Sequence, residues 1–316
     1  MNRLLVSGTL VFLIAFSAAF ATLESRVPVF RTLSGSAQTS NEKATVLFVG
    51  DMMFDRHIRT VLERSSDEVI LGEVRELLSE ADMNVGNLEG PITDNLSQSQ
   101  GSKVGDITNM RFTFSPSVRE LLTEYGFGLV SIGNNHIRDF DTAGVRSTTS
   151  YLSSAGIAYV GDPTGASPEP VVKEINGVRI AFVAYSDFVG GDAERARRAI
   201  SESTADATVV LAHWGNEYET EPSDRIRTLA ASFVSAGADL IIGSHPHVIG
   251  SVEEVGSARM YYSLGNFVFD QYWEPSVRCG LVVKATFIKG EEGTRITYEE
   301  EQVGMKNTGA TVPGCS

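Results

Sequence analysis

The chain has 316 residues, of which 42% are hydrophobic and 21% are charged, and its formal net charge is −14. This length and composition allow a substantial buried core in one large or two medium domains. The negative charge argues against a general nucleic-acid-binding protein, because neutralising phosphates requires clustered lysine and arginine. Two cysteines, Cys279 and Cys315, are too few for a disulfide framework or a zinc–thiolate site, and the sequence leaves open whether they pair.

The N-terminal residues precede the predicted folded domain. Arg3 is followed by an uncharged apolar run, residues 4–23, in which Ala19-Phe20-Ala21 is typical of a signal-peptide cleavage site. A run of about 20 such residues also suffices to span a bilayer if it is not cleaved. We therefore expect an extracytoplasmic protein that is either secreted or anchored to the membrane. Residues 24–43 are polar and rich in serine and threonine, which is typical of a flexible linker.

Strands and helices are predicted to alternate through most of the remaining chain. Strands are predicted at residues 44–49, 83–88, 127–132, 157–160, 170–175, 178–185, 208–212, 238–242, 260–269, 281–288 and 294–301. A first helix is predicted after Gly50-Asp51, running to about residue 64, and further helices are predicted at residues 73–80, 115–126, 142–154, 193–202 and 222–236. Asn176-Gly177 predicts a tight β-hairpin.

This alternation is typical of an α/β domain, which we place at residues 44–305, followed by a short C-terminal tail at 306–316. The late run of strands without intervening helices predicts a second, partly antiparallel sheet that packs on the first.

Five of the predicted strands each end in a polar motif. Open α/β sheets bind ligands in the crevice beyond the carboxyl ends of their strands, so these motifs are expected to form one site. Pro246 lies between two of the histidines and is expected to hold His245 in an extended conformation. Four of the five histidines in the chain fall at these strand ends, and the motifs are Asp51, Asn87 with Glu89, Asn135 with His136, His213, and His245 with His247.

Carboxylate, amide and imidazole groups suit a divalent Mn, Fe, Zn, Ni or Mg ion. Six candidates exceed the protein ligands of one tetrahedral ion, so one or two ions are predicted, with Glu89 able to bridge a pair. His136 is predicted as the general acid or oxyanion stabiliser. The predicted metal ligands are Asp51, Glu89, Asn135, His213, His245 and His247. The predicted substrate-binding or supporting residues are Asn87, Asn134, Asn266 and Asp55, and His57 is expected to be structural.

These motifs resemble the bacterial capsule synthesis family of the CapA/PgsA type, within the calcineurin-like metallophosphoesterase superfamily. They follow the family's order over about residues 45 to 270. The matching motifs are Gly50-Asp51-Met52-Met53, Asn87-Leu88-Glu89-Gly90-Pro91, Asn134-Asn135-His136, His213-Trp214-Gly215, Gly243-Ser244-His245-Pro246-His247-Val248 and Ser263-Leu264-Gly265-Asn266-Phe267.

The resemblance implies a four-layer α/β/β/α sandwich of two mixed sheets flanked by helices. It also implies a metal-dependent hydrolase in the synthesis, export or trimming of an anionic surface polymer such as poly-γ-glutamate. The implied partners are that polymer or its precursor and membrane synthase subunits. This sequence departs from the superfamily at Asp51-Met52-Met53, where D-x-H is usual, and at Gly86-Asn87-Leu88-Glu89, where G-D-x-x-D-R is usual.

Two alternatives remain. The first is a non-catalytic, membrane-anchored accessory subunit that binds polymer or synthase. The second is a plain phosphomonoesterase or phosphodiesterase, which the two departures disfavour.

Overall fold

The structure, a computed structural model, describes residues 42–165, 170–189 and 193–315. The strands are β1 (Lys43–Met52), β2 (Met83–Leu88), β3 (Phe127–Ser131), β4 (Ala158–Val160), β5 (Val171–Ile175), β6 (Val178–Ser186), β7 (Ala207–His213), β8 (Leu240–Ser244), β9 (Val252–Val255), β10 (Ala258–Tyr261), β11 (Asn266–Val268), β12 (Cys279–Gly290), β13 (Gly293–Met305) and β14 (Thr311–Pro313). The helices are α1 (Arg56–Arg64), α2 (Glu68–Leu71), α3 (Arg75–Leu78), α4 (Val118–Glu124), α5 (Asp141–Ser154), α6 (Ala193–Ser201) and α7 (Asp224–Ala236). Short 3₁₀ helices cover Gly72–Val74, Ile107–Met110 and Ser276–Arg278.

The strands form two mixed sheets. The first has the order β14-β13-β12-β1-β2-β3-β4, with β11 also paired to β1, and the second has the order β5-β6-β7-β8-β10-β9. Strands β1, β2, β3 and β4 are parallel to one another, as are β6, β7, β8 and β10. Strand β11 is also parallel to β1, whereas the remaining pairs, such as β1 with β12 and β5 with β6, are antiparallel.

Three apolar cores separate four layers, which confirms the predicted α/β/β/α sandwich. Alternate residues of β1 serve two of these cores, because successive side chains of a strand point to opposite faces. Val46 and Phe48 pack between the sheets, whereas Leu47 and Val49 pack under α1 to α5. The third core lies between the second sheet and helices α6 and α7. It includes Val210 of β7 and Phe233 of α7.

The hairpin prediction at Asn176-Gly177 is confirmed. These residues join β5 to β6 and have φ values of 50° and 86°. Positive φ at both central residues is what a type I′ turn requires, and asparagine and glycine tolerate it best.

A second, partly antiparallel sheet is present as predicted, but the prediction was wrong about which of the late strands belong to it. Strands β12, β13 and β14 extend the first sheet, because β12 pairs antiparallel with β1 from Lys43 to Phe48. The second sheet instead begins at the β5–β6 hairpin. Hydrophobic periodicity identifies strands but carries no information on which strand is the neighbour of which.

The segment predicted as a C-terminal tail is also part of the fold. Residues 311–313 pair with β13 as β14, and Thr311 is fully buried. Cys279 and Cys315 form a disulfide whose Cα atoms are 5.5 Å apart. The disulfide joins the start of β12 to the end of the described chain, so the last residues are held against the sheet.

We expect the Cys279→Ser, Cys315→Ser double variant to lose about 2–5 kcal/mol of unfolding free energy, since the disulfide closes a loop across 36 sequence positions. Urea denaturation measures this loss. Reduction of the wild type should produce the same loss and should leave the double variant unchanged. An equal urea midpoint for oxidised wild type and variant would contradict the prediction.

Within the described residues, no helix combines the length and apolarity needed to cross a bilayer. The predicted signal or anchor segment, residues 1–23, lies outside the described residues. So does the predicted linker up to residue 41, whereas Lys43 already belongs to β1.

Candidate metal centre

The candidate site lies where parallel strands of both sheets end. Asp51 belongs to β1 and His213 ends β7, while Glu89 follows β2 and His245 and His247 follow β8. All five side chains are buried, with at most 5% of any of them exposed. The structure therefore brings five of the six predicted ligands into one enclosed cluster.

Asp51 lies at the centre of this cluster. Asn87 Nδ2 donates to Asp51 Oδ1 at 2.8 Å, and the same nitrogen lies 3.3 Å from His213 Nδ1. The backbone N–H of His245 donates to Asp51 Oδ2 at 3.2 Å. A strand-end carboxylate from the first sheet therefore holds residues of the second sheet.

The ring of His247 has a defined orientation. Its Nδ1 lies 3.0 Å from Asn266 Oδ1 and 3.2 Å from Asp51 Oδ2. Asn266 Nδ2 donates to Val277 O at 2.9 Å, which fixes the amide so that its oxygen faces the ring. In the neutral ring that metal ligation requires, two acceptors at Nδ1 favour a proton on that nitrogen. Nε2 then keeps its lone pair, 3.6 Å from Glu89 Oε1, which suits metal ligation.

Glu89 belongs to two sets of possible ligands. The ligand atoms of Glu89, His245 and His247 lie within 4.8 Å of one another, and those of Asp51, Glu89 and His213 do likewise. Glu89 Oε1 and His245 Nδ1 are buried and have no hydrogen-bond partner among the described residues. Unpaired buried polar atoms are costly, and both atoms bind divalent cations well. The cluster therefore fits a divalent metal site.

The pKa shifts of the cluster residues are consistent with a divalent metal site. Burial, together with the nearby His245, holds the pKa of His213 well below its usual range. Burial and the neighbouring His247 lower the pKa of His245 to about 4. Burial and the Asp51 carboxylate raise the pKa of Glu89 well above its usual value. Burial also acts to raise the pKa of Asp51, but its bond and attraction to His247 outweigh this and keep that pKa low. Two imidazoles are thus neutral and available as ligands at neutral pH.

The backbone at the two histidines of the second sheet differs from the expectation. His245 has a φ of 97° and His247 a φ of 59°, so Pro246 does not leave His245 extended. Non-glycine residues adopt such angles where the surroundings compensate, commonly at functional sites. Here the hydrogen bond from His245 N to Asp51 provides part of that compensation.

His136 lies beside the cluster and is oriented by its own neighbours. Its Nδ1 lies 2.8 Å from Asp139 Oδ2, and its ring stacks on Phe112 with centroids 4.1 Å apart. Asp139 also accepts a hydrogen bond from Phe112 N at 2.8 Å. A carboxylate on one ring nitrogen leaves the other for proton transfer, as a general acid requires.

The predicted asparagines support the cluster. Asn135 Oδ1 lies 2.8 Å from His213 Nε2, and its side chain is half-buried. Asn134 Nδ2 donates to Asn87 Oδ1 at 3.2 Å and to Leu88 O at 2.8 Å. Asn134 Oδ1 accepts from His136 N at 3.2 Å, so this residue connects β2 to the loop that carries His136.

The side-chain contacts of Asp55 are with residues outside the cluster. It caps α1 by accepting from Arg56 N, and it also accepts from Ser97 Oγ at 2.5 Å and Thr113 N at 2.7 Å. These contacts attach Ser97 and Thr113 to the start of α1, which is a structural role. His57, expected to be structural, has its Nε2 3.0 Å from Asn307 O.

An open cleft of about 690 Å³ lies above the cluster. His136 and His247 line it, together with residues that the strand-end pattern did not identify. Glu217 and Tyr218 closely follow His213-Trp214-Gly215, so proximity in sequence to a site motif was a usable signal. The other aromatic lining residues, Phe112, Phe269 and Trp273, carried no such signal, because an isolated aromatic residue is usually a core residue. The additional lining residues include Arg56, Phe112, Glu217, Tyr218, Phe269 and Trp273.

Comparison with known proteins identifies the family. The profile of the family described as "Bacterial capsule synthesis protein PGA_cap" matches residues 45–271. The chain belongs to this capsule synthesis family. It is 32% identical over 264 residues to the "Capsule biosynthesis protein CapA" of Bacillus anthracis, covering 77% of this chain and 64% of that protein. It is 31% identical over 291 residues to the "PGA biosynthesis protein CapA" of Bacillus subtilis (strain 168), covering 86% of this chain and 73% of that protein.

The fold of this capsule synthesis family member also occurs in a solved structure. The crystal structure of a hypothetical protein from Thermus thermophilus matches it with a TM-score of 0.50 at 16% identity, covering 82% of this chain and 99% of that chain. At this identity the likeness concerns the fold alone.

We expect Glu89 to make the stability of the metal-free capsule synthesis protein depend on pH. The raised pKa of Glu89 means that, above about pH 4.5, the folded state keeps a proton that the unfolded state releases. This contribution to stability is full below that pH and is lost as pH rises through the folded-state pKa. His213 and His245 have lowered pKa values and act in the opposite direction below about pH 6.5.

A Glu89→Gln variant separates these effects, because both proteins keep the histidines. In the presence of chelator, the unfolding free energy of this variant minus that of wild type should rise as pH rises from 5 to 8. While Glu89 titrates in the folded wild type, the rise should be on the order of 1 kcal/mol per pH unit. Urea denaturation across that range measures the difference. Parallel pH curves for the two proteins would show that Glu89 is ionised in the folded state.

Proposed function

We propose that this chain is an exported, metal-dependent hydrolase that acts in the synthesis, export or trimming of an anionic surface polymer of the poly-γ-glutamate type. The observation that carries the proposal is the position of Glu89 in two buried ligand sets, next to a histidine oriented for proton transfer. The names of the two CapA relatives support the choice of polymer.

The residues that would hold the metal are Asp51, Glu89, Asn135, His213, His245 and His247. A bound divalent ion would supply an activated water and stabilise negative charge that develops on the scissile group. His136 would deliver a proton to the leaving group while Asp139 keeps its ring in position. The cleft above the cluster admits a polymer end or an extended segment.

Export is supported by two observations. The apolar N-terminal run, residues 4–23, is typical of a secretory signal or an anchor. The disulfide between Cys279 and Cys315 suits an oxidising compartment outside the cytoplasm. We propose that the partners are the polymer or its precursor and, if the N-terminal segment is retained, membrane synthase subunits.

A test of the hydrolase proposal starts from protein purified without chelator. Elemental analysis is expected to find close to one or two divalent ions per chain. A panel of γ-glutamyl, phosphomonoester and phosphodiester substrates, each assayed with Mn²⁺, Zn²⁺ and Mg²⁺, should reveal γ-glutamyl hydrolysis. Absence of metal, together with no stabilisation by added Mn²⁺, would reject the proposal.

One observation favours a non-catalytic accessory role instead. Met53 replaces a histidine ligand that is usual in the superfamily, and its side chain is fully buried, with its sulfur accepting from Asp55 N at 3.0 Å. The candidate metal site therefore has one imidazole fewer than the superfamily pattern, on the side of the first sheet. Metal binding without turnover of any substrate in the panel would support this second candidate.

A further inference from the structure

A cationic side chain lies beside the metal centre but has no part in it. Arg56 lines the cleft together with His136 and His247. Its guanidinium carbon lies 5.0 Å from the ring centre of Phe112 and 5.5 Å from that of Phe269. Phe112 stacks on His136, and the ring centre of Phe269 lies 4.8 Å from that of His247. Phe112 therefore lies between Arg56 and His136, and Phe269 lies between Arg56 and His247.

The hydrogen-bonding capacity of Arg56 is only partly used. Its Nη2 donates to Asp270, which also accepts from His57 N at 3.1 Å. Arg56 Nε is buried and has no hydrogen-bond partner among the described residues. A guanidinium has five N–H donors in a planar fork that matches a carboxylate. The hydrogen bond to Asp270 therefore leaves most of the guanidinium's donor capacity unused, on a side chain that lines an open cleft.

The backbone at Arg56 is also unusual. It is the first residue of α1 and has a φ of 49°, in the region that favours glycine. Its N–H donates to Asp55 Oδ1 at 2.8 Å, which holds this conformation. Strained residues persist where the surrounding structure fixes them and are frequent at ligand-binding positions. The side chain of this residue packs against the rings of Phe112 and Phe269.

We propose that Arg56 binds a carboxylate of the substrate and that the Asp270 carboxylate occupies this position in the free protein. The proposal rests on the proposed function and deepens it, because it names the group by which an acidic polymer is recognised. A chain with a net charge of −14, whose cleft contains Asp270 and Glu217, would otherwise repel such a polymer. A poly-γ-glutamate chain offers one carboxylate on every residue.

Tryptophan fluorescence provides a binding assay that does not depend on turnover. The chain has two tryptophans: Trp273, 58% exposed at the cleft, and Trp214, fully buried. The full-length protein is titrated with γ-linked tetraglutamate and with a neutral analogue in which each α-carboxylate is replaced by a carboxamide (γ-linked isoglutamine), once in EDTA and once in Mn²⁺. A Trp273→Phe variant shows how much of the signal comes from the cleft.

We expect the charged oligomer to bind at least tenfold more tightly than the neutral one. Arg56→Gln should weaken its binding roughly ten- to hundredfold in both EDTA and Mn²⁺, as loss of a charged hydrogen-bonding partner does. Asp270→Asn should strengthen it several-fold by removing the competing carboxylate. Arg119→Gln, the same substitution on α4 remote from the cleft, should bind like wild type.

Equal affinity of wild type and Arg56→Gln would overturn the proposal, and so would equal affinity for the charged and neutral oligomers. If inorganic phosphate perturbs Trp273 and the glutamate oligomer does not, the ligand is a phosphoryl group and the proposal is wrong. If Arg56→Gln does not fold, Arg56→Lys and Asp270→Asn still decide the outcome. Because the EDTA titration excludes metal, failure of the hydrolase proposal would leave this result unchanged.

Discussion

A variant with both His245→Ala and His247→Ala is expected to lose stabilisation by divalent metal. In the wild type, Mn²⁺ at a hundred times its Kd should add about 2.7 kcal/mol to the unfolding free energy. For a domain of this size that corresponds to a rise in Tm of roughly 5–10 °C. The double variant should show no rise, because one of the two ligand sets that share Glu89 loses two of its three members.

Differential scanning fluorimetry with increasing Mn²⁺, supported by elemental analysis, measures this effect. His57→Ala is the matched control, since His57 belongs to neither ligand set and its Nε2 lies 3.0 Å from Asn307 O. The control should respond to Mn²⁺ like wild type. A Tm rise that survives in the double variant would place the metal elsewhere or on Asp51, Glu89 and His213 alone.

Replacing His136 is expected to remove turnover while leaving metal binding intact. General acid catalysis by a positioned side chain contributes about 10²- to 10⁴-fold, so His136→Gln should lower kcat by that factor. The side chain lies beside the cluster, outside both ligand sets, so the Mn²⁺-dependent rise in Tm should be retained. The separation of these two readouts distinguishes a proton donor from a metal ligand.

Asp139→Asn is a milder variant that tests the same role of His136. It keeps the size of the side chain and the hydrogen bond from Phe112 N, but it removes the negative charge that faces His136 Nδ1. We expect a smaller loss of kcat and a shift of the pH–rate profile. Full activity of His136→Gln on a substrate that wild type hydrolyses would contradict the role of His136. Inactivity of the wild type itself would favour the accessory function.

Much of the site was predictable because its residues are in the sequence where strands end. Asp51, Glu89, His213, His245 and His247 each follow or end an apolar β-branched run, and parallel strands bring their ends to the same edge of a sheet. The four-layer fold was predictable for a different reason. The motifs resemble those of a known family, and the resemblance implies the fold. Local signals such as Asn176-Gly177 were reliable because turn geometry depends on two residues alone.

Other features depend on contacts between distant parts of the chain. The placement of β12 to β14 in the first sheet depends on pairing with β1, more than 200 residues earlier in the chain. Asp55 was a candidate for the site by its position near Asp51, yet its oxygens are used by Ser97 and Thr113. The pairing of Cys279 with Cys315 likewise follows from the position of β14 against β13.

The family, the candidate strand-end ligands and the candidate proton donor follow from the order of residues, because each is a short motif whose chemistry depends on residue type. The folded structure was needed to establish that Glu89 is shared between two ligand sets and that Asp139 faces His136. It was also needed to place Arg56 in the cleft between two aromatic rings. These facts depend on distances between side chains from separate strands and loops, and such distances are set by packing of the two sheets, which hydrophobic periodicity does not encode.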